Sequence, residues 1–68
     1  MNDFIKVELI DAYMKENNLT LEEFARMCGV YTFTIEDLFN NNCNYEIEVI
    51  KRIAFTLSIP IIDMFGFN

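Results

Sequence analysis

The segment Thr20-Leu21-Glu22-Glu23, followed after a short apolar stretch by Gly29, constrains the fold more than any other part of this chain. Thr20 can accept a hydrogen bond from the amide of Glu23, and Glu23 can reach back to the amide of Thr20, which is a capping box. A helix therefore begins at Leu21 and runs to Met27 or Cys28. Gly29 ends it, because glycine adopts the left-handed backbone of a helix stop without a steric cost. Helical spacing resumes from Thr32 to Phe39, with Ile35 and Leu38 directed inward. A helix, a tight turn and a second helix are thus predicted at the centre of the chain.

The flanks follow the same period. Phe4, Ile5, Leu9, Ile10, Tyr13 and Met14 recur at helical spacing opposite Asp3, Lys6, Glu8, Asp11, Lys15 and Glu16, predicting a first amphipathic helix that ends near Asn17-Asn18. After the central pair, Asn40-Asn41-Asn42-Cys43-Asn44 is a run of turn-tolerant residues, and Asn41 is expected to take a left-handed position. A helix from about Glu46 to Leu57 places Ile47, Ile50, Ile53, Ala54 and Leu57 on one stripe. Ser58-Ile59-Pro60 stops it, and Pro60 suits the first turn of a last short helix, Ile61 to Phe65. Five short helices with brief connections make an all-α globule.

With 68 residues, all of these helices must share one core, so a single domain over residues 1–68 is expected. At 53% hydrophobic and a mean hydropathy of +0.19, the chain is more apolar than a small soluble domain needs, which points to surface covered by a partner or a second copy. Its net charge of -6 repels phosphate backbones and anionic membranes. No basic region with a following apolar stretch and cleavage site opens the chain, and Pro60 and Asp63 interrupt the most apolar run, so a soluble cytoplasmic protein is expected. Cys28 and Cys43 lack metal-ligand spacing and have no histidine to join them; Cys28 falls on an apolar helical face and Cys43 in the Asn-rich loop, a reduced surface thiol. No metal or cofactor site is expected. Catalysis is also not expected: there is no Gly-rich phosphate loop or nucleophile-base pair, and Glu22 and Glu23 diverge by about 100 degrees on a helix.

Leu19, Thr20, Phe24, Ala25, Gly29, Val30, Ile35 and Leu38 stand, without a gap, at the framework positions of LTLEEFARMCGVYTFTIEDLFNNN. This segment resembles the Cro/C1-type (XRE-like) helix-turn-helix family of bacterial and phage repressors, and the similarity continues through IEVIKRIAFTLSIPIIDMF. The resemblance implies a five-helix, lambda-repressor-like fold and a DNA-binding transcription regulator. It also implies phosphate-contact positions at Leu21, Asn40, Asn42 and Asn44, and a reading face carried by Tyr31, Thr32, Phe33, Glu36 and Asp37. Where the family pairs an Arg late in helix one with a Glu at the end of helix three, this chain has Met14 and Phe39, so a buried ion pair is expected to be replaced by packed hydrophobes. Tyr31 stands where the family prefers a hydroxyl cap, so Thr32 is expected to take over the cap.

The family's reading face is normally rich in hydrogen-bond donors, whereas CGVYTFTIEDLFN contains no Lys, Arg, Gln or His. Thr32 can donate to a base or a phosphate, Phe33 can touch a thymine methyl, and Asp37 can accept only from cytosine N4. The missing cations weaken the counterion-release contribution to DNA affinity. Arg26, Lys51 and Arg52 are the cations nearest in sequence. Leu21, Tyr31 and Phe33 are expected to cluster outward beside Glu36 and Asp37. Two functions follow: a DNA-binding regulator acting as a dimer, or a protein-interaction module that has exchanged its basic reading face for an acidic and aromatic one. In the second case the partner is basic, such as a repressor, a toxin or a nucleic-acid enzyme. The C-terminal residues Ile61, Ile62, Phe65 and Phe67 exceed what one face of a short helix can bury, making them a candidate homodimer interface.

Overall fold

The computed structural model describes residues 3–67. The expected domain limits, residues 1–68, extend to Met1, Asn2 and Asn68, which lie outside the described residues. Among the described residues the order is β1 (Asp3–Ile5), α1 (Val7–Glu16), α2 (Leu21–Cys28), α3 (Thr32–Asn40), α4 (Ile47–Leu57), a 3-10 helix (Ile61–Met64) and β2 (Phe65–Phe67).

The fold is the expected all-helical one, with two local differences. Phe4 and Ile5 belong to a strand, not to the first helix, and the fifth helix is a single 3-10 turn whose expected last residue, Phe65, opens β2. The two strands pair antiparallel, Asp3 opposite Phe67, Phe4 opposite Gly66 and Ile5 opposite Phe65. The Phe4 ring packs over Gly66, in the space a β-carbon would fill, so a larger residue there would have to displace that ring. Helical spacing admitted Phe4 and Ile5 into the first helix because periodicity is blind to a pairing partner at the other end of the chain.

The capping box forms as expected. Thr20 Oγ1 accepts from the Glu23 amide at 3.1 Å, and Glu23 accepts from the Thr20 amide at 2.8 Å. The backbone and side-chain hydrogen bonds from Thr20 hold the Glu23 carboxyl below its usual pKa. Gly29 closes α2 at φ 74.

The same device recurs at two positions where no glycine marks it. Asn18 (φ 53) follows α1 and Ser58 (φ 61) follows α4. After each left-handed residue, the next amide reaches back to close a Schellman-type stop: Leu19 to Met14 at 2.9 Å, Val30 to Ala25 at 3.0 Å, Ile59 to Ala54 at 3.1 Å. Leu19, Val30 and Ile59 all pack on the core, the apolar contact that accompanies this motif.

The third helix differs at both ends from what the sequence leads one to expect. Tyr31 is its N-cap and makes no side-chain cap, so Thr32 is the first helical residue and not the cap. Asn41 is extended, at φ -149, and not left-handed; its amide still bonds to Asp37 at 2.8 Å. Without a left-handed stop the chain leaves α3 directly into the Asn-rich loop.

One core is formed by Ile5, Ile10, Phe24, Ala25, Cys28, Ile35, Leu38, Ile50, Ile53, Ala54 and Met64, all buried, with Phe65 of β2 packed against it. Tyr13 packs against Phe24 with ring centroids 5.8 Å apart. The α4 stripe holds at Ile50, Ile53 and Ala54, but Ile47, at the first helical position, is half exposed. Met14 packs on the core, whereas Phe39 remains exposed, so the expected packed replacement of an ion pair is only half realised. Burial raises the pKa of the Cys28 thiol, against a lowering hydrogen bond from Thr56; Cys43 is exposed.

Asn42 joins the α3–α4 loop to β1. Its backbone carbonyl accepts from the Ile5 amide at 3.0 Å, and its side-chain amide donates to the Ile5 carbonyl at 3.3 Å.

Two substitutions test these joints by urea unfolding. Gly29→Ala forces a side chain into the left-handed region and against Arg52, so it is expected to lose about 1 to 2 kcal/mol, a substantial part of a small domain's stability. An unchanged midpoint would show that the turn tolerates a β-carbon. Asn42→Ala should cost about 1 kcal/mol through the lost hydrogen bond, while Asn44→Ala, at an exposed side chain, should leave the midpoint in place. Equal effects at the two positions would contradict the role given to Asn42.

Candidate functional site

The outer surface of α3 is aromatic at its start and acidic in its middle. Tyr31 and Phe33 are 72% and 59% exposed, and their rings stack with centroids 5.2 Å apart and planes within 9°. Stacking lets two rings stand in solvent while covering one face of each. Glu36 and Asp37 are exposed a turn later, and Thr32 is half-buried beside them. Leu21 does not join the aromatic pair; it packs on the core from the first turn of α2.

Beside this surface lies an open groove of about 430 Å³, between α3 and the loop that leads into α4. Its base is Leu38, Val49 and Tyr45, which are buried or half-buried, and its rim is formed by exposed Phe33, Asp37, Asn40, Asn41, Asn44 and Glu46. The Tyr45 ring is braced by Phe65 of β2 at 5.6 Å, so the C-terminal strand supports the groove wall. Of the three expected phosphate-contact asparagines, Asn40 and Asn44 line the groove, while Asn42 does not and spends its side-chain amide on Ile5. Asn41, Tyr45 and Glu46 were not singled out from the sequence as binding residues. The signal for them was spatial: a helix lacking a left-handed stop brings the following residues alongside its own last turn.

None of the groove-lining residues is Lys or Arg. Lys15 pairs with Asp11 at 2.8 Å on α1, which raises the lysine's pKa. Arg52 contacts Glu48 at 3.7 Å along α4 and also lies over the Gly29 turn. Arg26 and Lys51 are exposed but do not line the groove. Folding therefore leaves the groove and the middle of α3 negatively charged. Phosphate would meet Asp37 and Glu46 there without a compensating cation.

The four C-terminal positions divide. Ile61 and Phe65 pack on the core, and Ile62 and Phe67 stay exposed. Among the described residues no group of three His, Cys, Asp or Glu side chains is placed to hold a metal ion, and no helix is long and apolar enough to cross a membrane.

No curated protein and no solved structure shows significant similarity to the chain. A family model described as the Cro/C1-type HTH DNA-binding domain matches residues 10–68. That span contains the capped α2, the Gly29 turn and α3 in unbroken order, followed by α4 and the C-terminal turn. On this match and this geometry, the chain belongs to the Cro/C1-type helix-turn-helix DNA-binding domain family.

Proposed function

We propose that the protein is a transcription regulator whose working surface is the outer face of α3, presented to the DNA major groove. The observation that carries this reading is the intact α2–Gly29–α3 unit with its outer face exposed, within a family-matched chain. Because no side chain caps α3 and its first turn holds no acidic residue, the N-terminal amides favour a phosphate there. Thr32 contributes a hydroxyl, and the Tyr31–Phe33 stack offers an apolar surface to thymine methyl groups. The acidic middle of the helix makes contacts selective, since Asp37 tolerates only a donor such as cytosine N4.

The regulator acts as a symmetric dimer, as half-site recognition requires. Exposure of Ile62 and Phe67 at the C-terminal end supports them as the contact. A second reading has its own observation: the cation-free groove suits a basic protein partner such as a repressor, a toxin or a nucleic-acid enzyme, and disfavours phosphate.

Selection of duplexes from a random pool, followed by gel retardation, tests the DNA reading. Retardation is expected at low salt, with a log–log salt slope no steeper than about -2, because few cations reach the backbone. Phe33→Ala should weaken it. No retardation of any duplex at the lowest salt would eliminate this function. Sedimentation should give twice the chain mass for the native protein and the single-chain mass for Phe67→Ser; a native monomer at high concentration would remove the dimer.

A further inference from the structure

We infer that the groove between α3 and α4 binds an arginine side chain presented by a basic segment of a protein partner. This rests on the protein-partner reading and specifies its contact.

Three properties of the groove meet in this ligand. Its volume of about 430 Å³ is at the small end of the pocket range, enough for one long side chain and the backbone that carries it. Its chemistry is that of a guanidinium acceptor. Asp37 and Glu46 supply carboxylates from opposite sides, one on α3 and the other at the N-cap of α4. Asn40, Asn41 and Asn44 on the rim carry amide carbonyls that can accept, and Phe33 and Tyr45 are aromatic lining residues. A planar cation with five donors suits this combination of carboxylate, carbonyl and ring better than a compact ammonium, because it can fork onto a carboxylate and stack on a ring.

The third property is charge. Neither Asp37 nor Glu46 takes part in an ion pair among the described residues; the pairs that form are Lys15 with Asp11 and Arg52 with Glu48. The groove is therefore complementary to a cation brought from outside, and the chain's net charge of -6 steers a basic partner toward it. A phosphate would be repelled by the same carboxylates. A wholly apolar segment would strip water from them with nothing in return. The neighbouring loop is tied to β1 through the Asn42–Ile5 hydrogen bonds.

The test is amide-resolved NMR on the full chain, titrated with a capped alanine-based peptide bearing two arginines, with its citrulline twin, and with duplex DNA. The citrulline peptide keeps the shape and removes the charge. The arginine peptide should shift Asp37, Asn40, Asn41, Tyr45 and Glu46, with affinity about tenfold above that of the citrulline peptide. The Asp37→Asn/Glu46→Gln variant, first shown to keep a native spectrum, should lose a similar factor. Equal binding of the two peptides, or an unaffected variant, overturns the proposal. Arginine-dependent shifts confined to Tyr31 and Glu36, outside the groove, overturn the pocket while leaving a protein partner on α3. No arginine-dependent shift anywhere sinks both. Duplex DNA that shifts the groove residues more strongly than the arginine peptide assigns the groove to DNA and also overturns the proposal.

Discussion

The reversal at Gly29 is the constraint on which the rest of this structure depends. A single left-handed residue turns the chain between α2 and α3, and the Val30 amide closes the turn on Ala25. This turn puts Ile35 and Leu38 of α3 into the core shared with Phe24 and Ala25 of α2, and so obliges Tyr31, Phe33, Glu36 and Asp37 to face outward. A non-glycine residue in that conformation costs about 1 to 2 kcal/mol, a cost the chain accepts at Ser58, where the stop positions only the last turn. At the helix-turn-helix itself it uses glycine. The third helix has no such stop, and its extended exit at Asn41 lets the loop run alongside it. The groove is the space this leaves.

What could be read from the sequence was what local chemistry decides. The capping box, the Gly29 stop and the inward Ile35 and Leu38 are each specified within a few residues, so α2 and α3 were legible almost to the residue. The β1–β2 pair was not, because Phe4 meets Gly66 across nearly the whole chain. Ser58 was hidden for another reason. Its left-handed conformation is imposed by the packing of Ile59 and the bond back to Ala54, and not by any preference of serine. The expected cap at Thr32 does not form because Tyr31 holds the extended N-cap backbone and Thr32 is already helical, one residue earlier than the hydroxyl cap requires.

The candidate site was legible in part. The exposed side of α3 followed from helical phase once the inward residues were known, and the pairing of Tyr31 with Phe33 emerged as stacking. The groove could not be read, since Tyr45 and Glu46 join Asp37 only through the path of the loop. Nor could the diversion of Asn42 to Ile5. The same distinction separates framework from function in this family member: the framework residues are the family's, whereas the charge of the face is opposite to that of a phosphate-binding surface. In the proposed DNA reading, contacts come from helix amides, hydroxyls and aromatic surface, with the carboxylates acting as selectors.

The outer face of α3 is the proposed working surface of the protein. Hydrogen exchange of the chain alone and with a selected duplex tests it most directly. Slowed exchange across residues 31–40, with α1 unchanged, is the predicted result. Protection that leaves α3 untouched and appears on another surface would contradict the account.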